Sequence, residues 1–172
     1  DGLSFTMSAA STSAFSLFTA GLVGNSYTGG TVVNNGTTVN LNPARAGEVV
    51  IPAGGLTING GAVTFGTAIF GAIDPTNAVT INGGGTLTFP NYAALTPAAP
   101  IYNTLASLTF GNIGGTATPT VALGNPTSPQ LSRIVLSAAA ALTSVNDNLA
   151  TTPTISGNTG SSLEFSNASP VI

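Results

Sequence analysis

The feature that most restricts the fold is a duplicated unit. Leu56-Thr57-Ile58-Asn59-Gly60-Gly61-Ala62-Val63-Thr64-Phe65 returns as Val79-Thr80-Ile81-Asn82-Gly83-Gly84-Gly85-Thr86-Leu87-Thr88-Phe89. The displacement is 23 residues at the start and 24 at the closing Phe, because of one extra Gly. A looser version recurs as Leu108-Thr109-Phe110-Gly111-Asn112 and Leu163-Glu164-Phe165-Ser166-Asn167, and Leu3-Ser4-Phe5 reads as a first instance. Self-similarity at this spacing is a mark of repeat architectures, in which one unit cannot bury its own apolar face and neighbours must stack to make a continuous core.

The text between the repeats has the same character. Val, Ile, Thr and Phe alternate with small polar residues in short runs, and Gly, Asn and Pro punctuate them, as strands and turns require. Strands are expected at Thr31–Val33, Thr37–Leu41, Gly47–Ile51, Leu56–Ile58, Ala62–Phe65, Ala78–Ile81, Thr86–Phe89, Ser107–Phe110, Thr120–Leu123, Arg133–Leu136, Pro153–Ile155 and Ser162–Phe165. With 22 Gly and 11 Pro spread along the chain, few windows stay open for a helix. Ala-rich Ser137–Leu142 is expected as one short helix or turn, and Ser8–Leu22 as a strand or irregular cap.

The fold class is therefore all-β. Two or three short strands per repeat, joined by Asn and Gly turns that tolerate positive φ, give a β-solenoid with inward Val, Ile, Leu and Phe. In it Asn59 and Asn82 stack and share side-chain hydrogen bonds. The Asn-Gly-Gly unit is also a plain β-hairpin, so a β-sandwich or jelly roll is the alternative. The 172 residues fit one domain, 1–172, with 1–24 as an N-terminal cap or exchanged strand and 25–172 as the repeat-like strand stack.

Charge narrows the function. Only 4% of residues are charged, against about 25% in ordinary globular domains. The acids are Asp1, Glu48, Asp74, Asp147 and Glu164, the bases are Arg45 and Arg133, and Lys, His, Cys and Trp are absent. Two Arg cannot neutralise a run of phosphates, which excludes nucleic acid as a partner. Without His or Cys, the usual zinc, haem and iron–sulfur ligands are missing, as are the commonest general base and the thiol nucleophile. No cofactor is expected. The longest apolar stretch, Ile134–Leu142, is interrupted by Ser137 and falls short of the ~20 residues a spanning helix needs. A chain covered by Thr, Ser, Asn and Gly suits packing against copies of itself outside the cell, so a secreted or cell-surface location is expected. The first residue is Asp1 rather than Met, as expected if a leader has been removed or the chain was cut from a longer precursor.

Asn25-Ser26-Tyr27-Thr28-Gly29-Gly30-Thr31-Val32-Val33-Asn34-Asn35-Gly36-Thr37 resembles the passenger-associated repeat of bacterial autotransporters, and the Leu-Thr-Ile-Asn-Gly-Gly and Thr-Leu-Thr-Phe units at 56–89 are similar to text found through such passengers. The resemblance implies a right-handed parallel β-helix on or released from the cell surface, serving adhesion, aggregation or a stalk. Ser169-Pro170-Val171-Ile172 departs from the family's ending in a membrane barrel.

Candidate chemistry is sparse. Glu48, Asp74, Asp147 and Glu164 sit in no recognisable acid–base motif. Asp74-Pro75 reads as a turn start and Asn146-Asp147-Asn148 as a polar loop, the best local oxygen cluster for Ca²⁺ but short of carboxylates. The Gly-rich stretches lack the Lys of a phosphate cradle. Thr57, Thr80, Thr86 and Thr88 can form a flat Thr ladder of the kind that binds ice. Asn35-Gly36-Thr37 and Asn167-Ala168-Ser169 are sequons, which makes Asn35 and Asn167 the glycosylation candidates. Tyr92 and Tyr102, flanking Pro90–Pro100, are candidates for a small sugar face.

The expected function is a non-enzymatic, extracellular structural or adhesive protein that associates with itself into a filament or matrix, with surface glycans as further partners. Two alternatives stand beside it. One is a sandwich subunit that donates its uncharged N-terminal segment, Leu3–Leu22, to the next copy. The other is a carbohydrate-binding or carbohydrate-active module.

Overall fold

The computed structural model describes residues 5–8, 13–18, 24–66, 70–90, 103–112, 117–124, 131–139, 141–146, 151–157 and 159–166. These residues form fifteen strands and no helix. In chain order they are β1 Phe5–Met7, β2 Ser13–Phe18, β3 Thr31–Asn34, β4 Thr37–Asn42, β5 Leu56–Asn59, β6 Ala62–Phe65, β7 Ala78–Asn82, β8 Thr86–Phe89, β9 Asn103–Leu105, β10 Ser107–Asn112, β11 Thr120–Leu123, β12 Arg133–Leu136, β13 Leu142–Asn146, β14 Thr154–Gly157 and β15 Ser162–Phe165.

All pairings between these strands are parallel. The first sheet has the order β1-β3-β5-β7-β10-β13, the second β2-β4-β6-β8-β11-β14, and the third β9-β12-β15. Each strand thus pairs with the equivalent strand of the previous and the next pass of the chain, and the sheets are built up layer by layer. The two halves of the Asn-Gly-Gly unit fall in different sheets. β5 pairs with β3 and β7, while β6 pairs with β4 and β8, so the unit is not a hairpin.

The sequence dictates this stacking through its inward residues. Strands β3, β4, β8, β11 and β12 alternate buried and half-buried residues, as the period-2 strand geometry demands. In register, the buried residues form columns. Met7, Val33, Ile58, Ile81 and Phe110 make one, and Leu56, Val79 and Leu108 another. Val39, Val63, Leu87 and Val121 line the second sheet, and Leu105 and Leu136 the third. The Phe65 and Phe89 rings lie 5.3 Å apart, tilted by 33°. Within these columns one apolar residue follows another from β5 through β12, so the core is continuous along that part of the stack.

Several expectations change. Gly47–Ile51 is not a strand; its one ladder contact is a bridge from Ile51 to Ile73. Of the helix or turn expected at Ser137–Leu142, the described residues show a bend at Ala138 and Ala139, and Leu142 opens β13. Strands β9 and β13 were not anticipated, because Asn-Thr-Leu and Leu-Thr-Ser-Val-Asn are too short or too polar to stand out. The stack also reaches into the segment set apart as 1–24. β1 pairs with β3 and β2 with β4, within the same chain, which removes the support for a donated N-terminal strand.

Candidate functional site

The outward side chains fall into rows. On the first sheet, Thr57, Thr80, Thr109 and Thr143 are register partners in successive strands. Beside them runs an amide ladder. Asn82 Nδ2 donates to Asn59 Oδ1 at 2.8 Å, Asn59 Nδ2 to Asn34 Oδ1 at 3.2 Å, and Asn34 Nδ2 to Ser8 Oγ at 2.7 Å. The expected stacking of Asn59 and Asn82 is present, and Asn34 and Ser8 extend it. The ladder stops at Gly111, where a Cβ would clash with Asn82 Oδ1. On the second sheet Thr64 Oγ1 donates to Asn40 Oδ1, and Thr86, Thr120 and Thr154 are in register. Thr57 and Thr80 therefore share a row on one sheet, while Thr86 and Thr88 lie on the other.

Side-chain amides hold the turns. Asn77 is fully buried; its Oδ1 accepts from Gly55 N at 2.7 Å and its Nδ2 donates to Pro52 O at 3.0 Å. Asn103 Oδ1 accepts from Gly71 N at 3.3 Å, and Asn25 Nδ2 donates to Val50 O at 2.7 Å. An amide supplies both a donor and an acceptor, so it can satisfy a bent backbone from one position. Nothing in the sequence marks Asn77 and Asn103 among the other Asn residues.

The described charged groups lie outside the strands of the two long sheets. Glu48 is buried and its Oε2 accepts from Ala44 N at 2.9 Å and Arg45 N at 3.1 Å. Asp74 Oδ1 accepts from Thr76 N at 2.9 Å and Thr76 Oγ1 at 2.6 Å, the turn start expected of Asp-Pro. Arg133 and Glu164 lie on the third sheet, with Arg133 Nε 4.0 Å from Glu164 Oε1 and Ser162 Oγ donating to that oxygen at 2.7 Å. Strands of the first and second sheets carry no Asp, Glu, Lys or Arg. Tyr27 is half-buried, and its hydroxyl shares a 2.6 Å hydrogen bond with Thr31 Oγ1. Burial pushes its pKa above 10.0, partly opposed by that hydrogen bond.

Surface concavities lie at two places of interest. A groove of about 360 Å³ runs along the Gly turns between the two long sheets, lined by Asn35, Thr38, Gly60, Gly84 and Thr86 among others. A depression of about 460 Å³ lies at the last pass, lined by Phe110, Leu142, Thr143, Ser144, Pro153 and Ile155. There the columns lose their apolar character: Ser144 follows Phe110 and Gly157 follows Leu123, while Ile155 and Val145 are 36% and 48% exposed. No group of three or more His, Cys, Asp or Glu that could hold a metal ion occurs among the described residues. No described helix is long and apolar enough to cross a membrane.

Of the glycosylation candidates, Asn35 is exposed in the turn between β3 and β4, and Asn167 lies outside the described residues. Asp147, Tyr92 and Tyr102 also lie outside them. The chain matches no family model, no curated protein and no solved structure.

Proposed function

We propose that the chain is a right-handed parallel β-helix acting as an extracellular structural or adhesive element, without enzymatic activity, that joins copies of itself end to end. The right hand follows from the near-universal handedness of crossovers between parallel strands. The observation that carries the proposal is the asymmetry of the surface. The two long sheets present uncharged Thr and Asn rows, whereas the last pass leaves Ile155 and Val145 exposed around an apolar depression. Apolar side chains exposed beside the outermost described strands offer a surface for a second copy, and strands all running one way meet head to tail, an arrangement that propagates rather than closes. The low charge and the resemblance of residues 25–37 and 56–89 to autotransporter passengers support the surface location.

Electron microscopy of the native protein at neutral pH tests it. Regular rods or filaments are expected, shortened to single particles by the paired substitutions Val145→Asp and Ile155→Asp. Single particles at every concentration, unchanged by those substitutions, sink the end-to-end reading.

A further inference from the structure

We propose that Asn35 is a site of spontaneous self-modification, converting to aspartate and isoaspartate through a cyclic imide, while the chemically equivalent Asn59 and Asn82 are protected by the fold. The chain has three Asn-Gly dipeptides, Asn35-Gly36, Asn59-Gly60 and Asn82-Gly83. In each, the Gly amide nitrogen, on losing its proton to solvent base, can attack the Asn Cγ. The new N–Cγ bond closes a five-membered succinimide, the Cγ–Nδ2 bond breaks, and ammonia leaves with a proton from water. Water then opens either carbonyl of the ring, giving aspartate or isoaspartate. One water is consumed, one ammonia is released, and no oxidant or reductant is needed.

The three sites share this chemistry but differ in freedom of movement. The Asn59 amide is engaged at both ends, donating to Asn34 Oδ1 and accepting from Asn82 Nδ2. Its nucleophile is also occupied, since Gly60 N donates to Asn82 O at 2.9 Å. The Asn82 carboxamide donates to Asn59 and fills the space in front of Gly111. For either to react, ladder hydrogen bonds must open first, and the fraction of time spent open scales the rate. Asn35 stands outside the ladder. It is exposed at the turn, its carboxamide has no hydrogen-bond partner among the described residues, and Gly36, at φ 78°, carries no side chain of its own to crowd its nitrogen. The product places a carboxylate beside the groove between the two uncharged sheets. The isoaspartate form also adds a methylene to the main chain between β3 and β4. A glycan on Asn35 Nδ2 would block the reaction.

The test holds the full, unglycosylated chain in mildly alkaline buffer and follows the three peptides by mass spectrometry. Native protein is expected to gain one mass unit at Asn35 about tenfold or more faster than at Asn59 and Asn82, a ratio set by local opening. In denaturant the three rates converge. Asn35→Gln, which would have to form a six-membered ring, abolishes the fast phase without touching the ladder. Equal native rates at the three sites, or an inert Asn35 in native protein that reacts only when unfolded, overturns the assignment.

Discussion

Between Thr31 and Phe89 the chain returns to the same sheet every 23 to 25 residues, whereas beyond Phe89 it takes 29 to 34. In the short circuits, tight Gly turns bring Asn34, Asn59 and Asn82 into line and the ladder forms. In the long ones the ladder ends at Gly111, and the third side of the stack becomes regular as β9, β12 and β15. The apolar columns pass from the short circuits into the long ones in register and give way at the last pass, where Ser144 and Gly157 enter them. Inward packing therefore sets the stacking, because a one-residue slip would turn every buried side chain outward. Circuit length decides only whether outward polar groups align.

The comparison is sharpest at buried leucines. Leu87, fully buried in a short circuit, is expected to lose about 2–5 kcal/mol on replacement by Ala, through lost transfer energy and the cavity left behind. Leu163→Ala, at a half-buried position in the last circuit, is expected to cost less than half as much. Denaturant unfolding gives both values, and equal losses would break the claim that the end is the looser region.

Amides come next. Asn77→Ala strands Gly55 N and Pro52 O in a buried turn and is expected to cost about 1–3 kcal/mol. Asn59→Ala removes two ladder bonds at a half-buried position and is expected to cost about 1 kcal/mol. If the order reverses in the same unfolding assay, the ladder rather than the turn amides holds the short circuits.

A smaller effect is read in alkaline solution. The Tyr27 pKa is higher folded than unfolded, so the unfolded chain gives up its proton first as pH climbs. Stability is then unaffected well below pH 10.0 and declines as pH rises through that value. Tyr27→Phe is expected to remove that part of the decline; an unchanged alkaline slope would exclude Tyr27 as its source.

The smallest expectation concerns proteolysis. Arg45 is exposed in an irregular turn, whereas Arg133 is half-buried in the central strand of the third sheet. Trypsin needs an extended, accessible backbone, so limited digestion is expected to cut after Arg45 and spare Arg133. Early cleavage after Arg133 would mean that the third sheet opens more readily than the short circuits.

Much of the layered fold was legible. The duplicated unit at 56–65 and 79–89 foretold both the stacking and the Asn59–Asn82 bond, because identical text at one-circuit spacing must meet itself. Strands with strong alternation, such as Thr37–Asn42, were readable from residue type. Gly47–Ile51 misled because Val49, Val50 and Ile51 look like a strand, yet Glu48 folds back on the amides of Ala44 and Arg45 and breaks the run. Asn103–Leu105 and Leu142–Asn146 escaped notice because partner strands, not intrinsic preference, make them strands.

The sequence by itself determined a sparsely charged, all-β chain with a repeating apolar beat and neither His nor Cys. Only the tertiary structure decided that the two halves of each repeat lie in separate sheets, that Asn77 and Asn103 are buried fasteners, and that Asn35 is left free while Asn59 is held. The physical reason is that burial and hydrogen-bond partnership are relations between distant residues. Local patterning specifies which face of a strand is apolar, but not which of sixteen asparagines will find a carbonyl beside it.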